Sequence, residues 1–164
     1  MADAPAAEPL LHIALLQPEI PGNTGNIGRL CIGLGARLHL VCPLGFSLDE
    51  KAVRRAGIDH WREVDLAVYP DDDAFFAWAQ GRNLRLFSTR GAGVYTQIPW
   101  ETGDVLVFGR ESVGLADALV DRFGAWRIPI PGPARSLNLS NAAAVAAYGA
   151  LQALRPELFP VEAP

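Results

Sequence analysis

Three polar segments of this chain carry the residue types that could do chemistry, and each follows an apolar run typical of a buried strand. Residues 23–29 read Asn-Thr-Gly-Asn-Ile-Gly-Arg, and residues 109–115 read Gly-Arg-Glu-Ser-Val-Gly-Leu. The third segment, Arg-Ser-Leu-Asn-Leu-Ser-Asn at 135–141, follows the rigid run Ile-Pro-Ile-Pro at 128–131. Any one of these segments alone would be a loop before a helix, but the three in this order form a pattern.

The first segment places amides, a hydroxyl and a guanidinium at the start of a predicted helix. The backbone N–H groups of a helix start are unsatisfied and point toward an approaching anion. Asn23, Asn26 and Arg29 could therefore meet a ligand or, equally, belong to a capped helix with Arg29 on its solvent face. A P-loop is excluded because no Gly-Lys-Ser/Thr occurs, and the dinucleotide fingerprint GxGxxG is absent as well.

The second and third segments suggest a ligand crevice and a helix start with excess polarity. Gly109 and Gly114 bracket a charged tripeptide at the end of an apolar strand, where open α/β sheets bind ligands. The alternative is a tight turn in which Glu111 caps the next helix. A helix needs only one N-cap residue. The third segment offers four good ones: Ser136, Asn138, Ser140 and Asn141.

The elements that must position these segments alternate between strand-like and helix-like patterns. Apolar runs predict strands at residues 11–16, 38–41, 84–88, 105–108 and 127–130. Helical spacing and end signals predict helices from about 23 to 35, 49 to 57, 71 to 80, 115 to 123 and 138 to 154. This alternation predicts an α/β fold in which a mostly parallel sheet is covered by helices on both faces.

Composition predicts one globular domain over residues 10–155, with tails at 1–9 and 156–164. The chain has 164 residues, half of them hydrophobic, and a formal net charge of -4. That charge argues against a broad nonspecific grip on RNA but permits a local basic patch. Lys51, Arg54 and Arg55 form such a cluster, which is either a solvated helix face or a source of phosphate contacts.

No feature of the sequence predicts a metal site, a disulfide or a membrane span. Cys31 and Cys42 lie in apolar runs without CxxC spacing, so buried free thiols in a reducing cytoplasm are expected. The three histidines are scattered in or beside apolar runs and are expected to be structural. The longest apolar stretch, 142–154, is too short to cross a bilayer, and no targeting signal is visible. The prediction is a soluble, cytoplasmic protein.

The three segments, together with Phe87-Ser88-Thr89-Arg90-Gly91, resemble the motifs of the SPOUT class of knotted RNA methyltransferases. The likeness spans residues 11–154 and is greatest to the short tRNA ribose 2′-O-methyltransferases of the TrmH/TrmL type. It implies a SPOUT fold with a C-terminal trefoil knot, S-adenosyl-L-methionine as cofactor without any metal, and a homodimer. The implied substrate is the anticodon loop of tRNA, methylated on the ribose of the wobble nucleotide, cytidine or uridine 34.

The resemblance also implies roles for individual residues. In the family, the position of Glu111 holds the catalytic loop, and that of Tyr148 lies near the active site of the partner subunit. Arg110 and Val113 depart from the residues that relatives often carry. Cofactor contacts are implied for Phe87, Thr89, Gly109, Ile128 and Ser136. Catalytic or RNA-side roles are implied for Asn23, Arg29, Glu111, Ser136 and Asn138.

The implied reaction transfers a sulfonium methyl group in line to a ribose 2′-hydroxyl. Arg29 is then either a general base activated by an RNA phosphate or a cation that stabilises developing oxyanion charge. Three alternatives stay open. They are a SPOUT enzyme acting on another tRNA or rRNA position, a noncatalytic RNA-binding member of the fold, and an ordinary nucleotide-binding α/β protein.

Overall fold

A computed structural model describes residues 8–49 and 60–160 of the chain. Its main sheet has five strands in the order β3-β2-β1-β6-β4, and every pairing in it is parallel. A separate parallel pair joins β5 to β7. The strands are β1 (Leu11–Leu16), β2 (Arg37–Val41), β3 (Leu66–Tyr69), β4 (Leu84–Leu86), β5 (Gly93–Val94), β6 (Asp104–Phe108) and β7 (Trp126–Arg127).

Helices cover both faces of the main sheet, as predicted for an α/β fold. The α-helices are α1 (Pro21–Leu34), α2 (Asp72–Trp78), α3 (Asp117–Phe123) and α4 (Leu139–Leu154). One core cluster includes side chains of α1 and α4, and a second includes side chains of α2 and α3. Short 3-10 turns occur at Trp61–Glu63, Tyr95–Gln97 and Pro156–Leu158.

The order of the strands creates a switch point between β1 and β6. The chain builds β1, β2 and β3 outward on one side, and it later places β6 and β4 on the other side of β1. β1 and β6 are wholly buried, which explains why both read as continuous apolar runs. Ligands of open α/β sheets bind outside the carboxyl ends of the strands at such a point.

The strands at 11–16, 38–41 and 105–108 and the long last helix were predicted correctly. α1 begins at Pro21 and not at Asn23, because a proline suits the first helical position. α1 ends at Leu34, and Gly35, with a φ of 63°, forms its left-handed cap. The helix predicted from 115 begins only at Asp117, and the strand predicted at 127–130 is two residues long.

Part of the prediction falls outside the described residues or was missed. The helix predicted at 49–57 and the basic cluster at 51–55 lie almost entirely in the undescribed segment. β3 was not predicted. It is an edge strand of only four residues, Leu-Ala-Val-Tyr, which is apolar in sequence but has Val68 47% exposed.

Four alanines of α4 face the hydrophobic core of the chain. Ala143, Ala146, Ala147 and Ala150 are all fully buried, and their small side chains let α4 lie close to the neighbouring elements. The outer face of the helix exposes larger side chains, with Val145 at 36% and Tyr148 at 51%. A second subunit could therefore contact α4 only through that outer face and not through the buried alanines.

His12 and His39 belong to a buried polar chain, in keeping with the predicted structural role. Their rings are joined at 2.9 Å, and His39 also contacts the Tyr69 hydroxyl at 3.0 Å. Glu8 accepts from the His12 ring at 2.9 Å, so this residue belongs to the fold and not to a free tail. Burial lowers the pKa of His12 and lowers that of His39 to about 3.

Both cysteines are free thiols, but only Cys31 is buried as expected, whereas Cys42 is partly exposed. Burial raises the pKa of Cys31 to about 12. Within residues 8–49 and 60–160, no group of three or more His, Cys, Asp or Glu side chains could hold a metal ion. No helix in these ranges is both long and apolar enough to cross a bilayer.

Candidate active site

A cavity of about 480 Å³ lies where the three polar segments meet, beyond the carboxyl ends of β4 and β6. It is partly walled by residues 109–115, here called the motif loop. Nine residues were predicted for the site. Eight of them line this cavity: Asn23, Phe87, Thr89, Gly109, Glu111, Ile128, Ser136 and Asn138.

Glu111 fastens the motif loop to the segment that leads into α1. Its carboxylate accepts hydrogen bonds from the backbone N–H of Glu19 at 2.8 Å and of Ile20 at 3.2 Å. The same carboxylate accepts from the Asn23 side-chain amide at 3.2 Å. The alternative that Glu111 caps the next helix is wrong, because its partners lie at the start of α1. Three donors on one carboxylate fix the position of the loop.

Glu19 returns the contact. Its carboxylate accepts from the backbone N–H and from the hydroxyl of Ser112, both at 2.9 Å. These two hydrogen bonds hold the pKa of Glu19 below its usual value. Glu19 and Glu111 thus form a reciprocal clamp between two segments that are more than 90 residues apart in sequence.

Asn23 links the clamp to the third polar segment. Its side-chain oxygen accepts from the Asn138 amide at 2.9 Å, while its own amide donates to Glu111. The side-chain oxygen of Asn138 in turn caps α4 by accepting from the Ser140 backbone N–H at 2.9 Å. Asn23 is only 6% exposed, so a continuous relay of hydrogen bonds ties all three segments into one unit.

The motif loop is folded so tightly that Gly109 has no room for a side chain. A Cβ atom there would lie 2.2 Å from the carbonyl carbon of Gly114. The Gly114 N–H donates to the Arg110 carbonyl at 2.8 Å, and Gly114 has a φ of 72°, a conformation that favours glycine. Both glycines of the predicted bracket are therefore required by the backbone.

The remaining walls of the cavity are largely apolar, with hydroxyls at the edge. Phe87 and Phe108 stack with ring centroids 4.9 Å apart and an interplanar angle of 13°. Trp126 and Ile128 add further apolar surface. The hydroxyl-bearing residues Thr89 and Ser136 are exposed and lie at this cavity. The arrangement combines flat apolar walls with a few polar groups, which is typical of small-molecule sites.

Arg29 is the one predicted site residue that does not line the cavity. It is exposed on α1, six residues beyond Asn23, or about 9 Å along the helix axis at 1.5 Å per residue. Within the described ranges, its guanidinium makes no hydrogen bond or ion pair.

Sequence reasoning missed Glu19 and Ser112, which complete the clamp, and the walls formed by Phe108 and Trp126. A weak signal for Glu19 was available, because it is an acidic residue in the short Pro-containing turn between β1 and α1. Its pairing with Ser112 depends on the tertiary fold and leaves no local pattern.

This combination of a parallel α/β sheet and three linked motifs is that of an RNA methyltransferase of the SpoU type. The chain matches the SpoU rRNA Methylase family over residues 10–148 and belongs to that family.

The chain is also similar to individual proteins of described function. A tRNA (cytidine(34)-2'-O)-methyltransferase of Burkholderia pseudomallei is 47% identical over 146 residues, covering 86% of this chain and 94% of that protein. The Escherichia coli protein of the same description is 40% identical over 148 residues, covering 88% of this chain and 94% of that protein.

A structure solved to study the 2-OH methylation of C/U34 on tRNA is 43% identical, with a TM-score of 0.85, and the match covers 92% of this chain and 99% of that one. The methyltransferase AviRb of Streptomyces viridochromogenes, in complex with the cofactor AdoMet, is 26% identical with a TM-score of 0.77. That match covers 96% of this chain and 61% of AviRb.

Proposed function

We propose that this protein transfers a methyl group from S-adenosyl-L-methionine to the ribose 2′-hydroxyl of nucleotide 34, cytidine or uridine, in tRNA. The observation that carries the proposal is the relay from Glu111 through Asn23 to Asn138, which joins all three motifs around one cavity. Relatives that match over nearly their whole length are described as tRNA (cytidine(34)-2'-O)-methyltransferases, and a similar solved structure concerns the 2-OH methylation of C/U34 on tRNA.

The cavity fits the cofactor in size and chemistry. Its volume of about 480 Å³ lies within the range of roughly 300–1,000 Å³ that is usual for small-molecule sites. The apolar faces of Phe87, Trp126 and Ile128 suit a purine ring, and the hydroxyls of Thr89 and Ser136 suit a ribose and an amino-acid group. The close turn at Gly109 leaves backbone in place of a side chain at the cavity wall. AviRb, which shares the fold, was solved with AdoMet.

The proposed reaction needs a cation near the acceptor hydroxyl. When bound, S-adenosyl-L-methionine supplies an electrophilic methyl group on a sulfonium. The hydroxyl must lose its proton as its oxygen bonds to that carbon, and negative charge develops on the oxygen. Arg29 is an exposed cationic side chain on α1. We therefore assign Arg29 to binding phosphate and stabilising the oxyanion on the RNA side.

The polar atoms of Asn23 and Asn138 are occupied by protein partners. Asn23 uses its amide N–H on Glu111 and its oxygen on Asn138, whose own oxygen caps α4. Together with Glu111 they act as positioning residues that hold the motif loop against both other segments. Ser136 is exposed beside the cavity and is the hydroxyl of this set that is available to contact cofactor or ribose.

The proposal includes a homodimer, a C-terminal trefoil knot and a cytoplasmic location. Support for the dimer is the outer face of α4, where Val145 and Tyr148 are exposed while the alanines face the core. A partner on this face would place Tyr148 at the composite site and could bring an RNA-side environment to Arg29. We expect light scattering on the parent protein to give a molar mass of twice that of the chain. The variant Val145→Glu should give the mass of a single chain. A monomeric parent protein with full activity would contradict the dimer.

The test of the proposed function separates its alternatives. Purified protein is incubated with radiolabelled S-adenosyl-L-methionine and either total tRNA or rRNA that lacks ribose methylation. Label is expected in tRNA alone. Label in rRNA would favour a different specificity of the same fold. The proposal that the protein is an enzyme would be contradicted by cofactor binding without methyl transfer to either RNA. It would also be contradicted if calorimetry detected no cofactor binding.

A further inference from the structure

A second cavity of about 430 Å³ shares the motif loop with the first. Gly109, Arg110 and Val113 contribute to both cavities, as does Arg90. The other walls differ, since the second cavity reaches Gln17 beyond β1 and Asp72 at the start of α2. A group bound there is separated from the proposed reaction site by a single loop.

The second cavity occupies the position where the fold itself favours a ligand. Leu16 and Gln17 lie at the carboxyl end of β1, and Gly109 lies at the carboxyl end of β6. These neighbouring strands form the topological switch point of the sheet, which is the usual ligand crevice of open α/β proteins. The proposed reaction uses the first cavity and leaves this crevice without an occupant.

Gln17 presents its amide to the crevice from a strained backbone. Its φ of 55° is unusual for a residue other than glycine, and its N–H is anchored to the Val41 carbonyl at 2.9 Å. The side-chain amide reaches Asp72 at 3.4 Å, which is longer than the usual 2.7–3.2 Å of an N–H···O bond. Strain of this kind concentrates at functional sites, and a bond this long is easily exchanged for one to a ligand.

The charged groups around the crevice are also exchangeable. Arg90 pairs with Asp117 at 2.5 Å, but their side chains are 60% and 75% exposed, so the pair contributes little stability. Arg110 is exposed at the rim, and Val113 presents an apolar side chain that is 70% exposed.

The chemistry of these groups matches a nucleotide. An amide and a carboxylate together offer the donor and acceptors that pair with a base edge. Guanidinium groups bind phosphate through paired N–H donors, and an apolar side chain can pack against a base ring. We infer that this crevice binds a second nucleotide of the substrate RNA, directly next to the methylated one. Gln17 and Asp72 read its base, and Arg90 and Arg110 hold the phosphates that connect the two nucleotides. This inference rests on the proposed function.

The test combines protein variants with altered RNA. Anticodon stem-loops are prepared intact, or with an abasic site at nucleotide 33 or nucleotide 35. Gln17→Asn tolerates the positive φ but withdraws the amide by one methylene, and Asp72→Asn removes the carboxylate. Asp73→Asn is the matched control, because Asp73 is an exposed neighbour on α2 that does not line either cavity.

We expect Gln17→Asn and Asp72→Asn each to lower kcat/KM on the intact RNA about fivefold to tenfold, as the loss of one hydrogen bond to the base would. On the RNA that lacks the recognised base, the same variants should cause no further loss. Equal losses on intact and abasic RNAs, or no loss for either variant, would overturn the inference. If the parent protein does not methylate the intact RNA, the proposed function fails instead, so the two failures are distinguishable.

Discussion

Replacing Glu111 by glutamine tests the clamp that assembles the site. One carboxylate oxygen accepts from the Glu19 N–H at 2.8 Å, and the other accepts from Ile20 and Asn23, both at 3.2 Å. Glutamine has a single acceptor oxygen. If that oxygen keeps the latter two bonds, the new NH₂ group faces the Glu19 N–H at hydrogen-bond distance.

The magnitude follows from one lost bond and two weakened ones. An unsatisfied donor costs about 1–3 kcal/mol, and the other two bonds lose their charge assistance. Because this region is only partly buried, we take about 2 kcal/mol for Glu111→Gln. If the clamp must be closed in the transition state, that energy corresponds to a rate roughly 30-fold lower.

The assay is single-turnover methyl transfer to tRNA, together with urea unfolding of the same samples. Glu101→Gln is the matched control. Glu101 lies shortly before β6, whereas Glu111 lies shortly after it. The Glu101 carboxylate accepts a hydrogen bond from the side-chain amide of Asn83 at 3.1 Å. The control should retain the parental rate. A Glu111→Gln protein with parental rate and parental free energy of unfolding would refute the reasoning.

Three further predictions follow from the same structure. Gly109→Ala should abolish methyl transfer and weaken cofactor binding more than tenfold in calorimetry, because the added Cβ would collide with the backbone of the motif loop. Gly33→Ala is the control and should change neither quantity, because there is open space at that position. Arg29→Ala should lower the rate of methyl transfer about 10²–10³-fold and leave the affinity for the cofactor unchanged. A variant with the parental rate would show that Arg29 has no role in the reaction. The lowered pKa values of His12 and His39 mean that the unfolded state binds more protons below pH 6.5. The free energy of unfolding should therefore be greatest above that pH and fall below it, by up to about 1.4 kcal/mol per pH unit for each histidine, and a flat urea-unfolding profile between pH 8 and 5 would contradict this.

Much of the fold could be predicted because its central strands are buried on both faces. β1 and β6 have no polar alternation to confuse the pattern, and Gly35 and Asn138 mark helix ends by their chemistry. β3 was missed although its sequence Leu-Ala-Val-Tyr is apolar throughout, because a run of four residues is at the lower limit of strand length and gives a weak signal. The boundaries of α3 shifted because the motif loop uses residues through Leu115 for its own turn and for the core.

The site was predictable as a set of segments but not as a network. Each segment can be recognised from its local sequence, because its polar residues follow an apolar strand. The clamp between Glu19 and Ser112 and the relay through Asn23 join residues that are 88 to 115 positions apart. Such pairings depend on how the strands are ordered in the sheet. The position of Arg29 away from the cavity is likewise a property of the helix, since six residues advance it nearly two turns.

The most direct test of the proposed function is a nucleotide-resolved map of ribose methylation. Unmodified tRNA transcripts are incubated with the purified protein and S-adenosyl-L-methionine, and 2′-O-methylation is located by resistance of the adjoining phosphodiester to alkaline cleavage. The proposed function predicts one protected position, at nucleotide 34, and this protection disappears when that nucleotide is supplied in the 2′-deoxy form. Protection at another nucleotide, or none in the presence of bound cofactor, would contradict it.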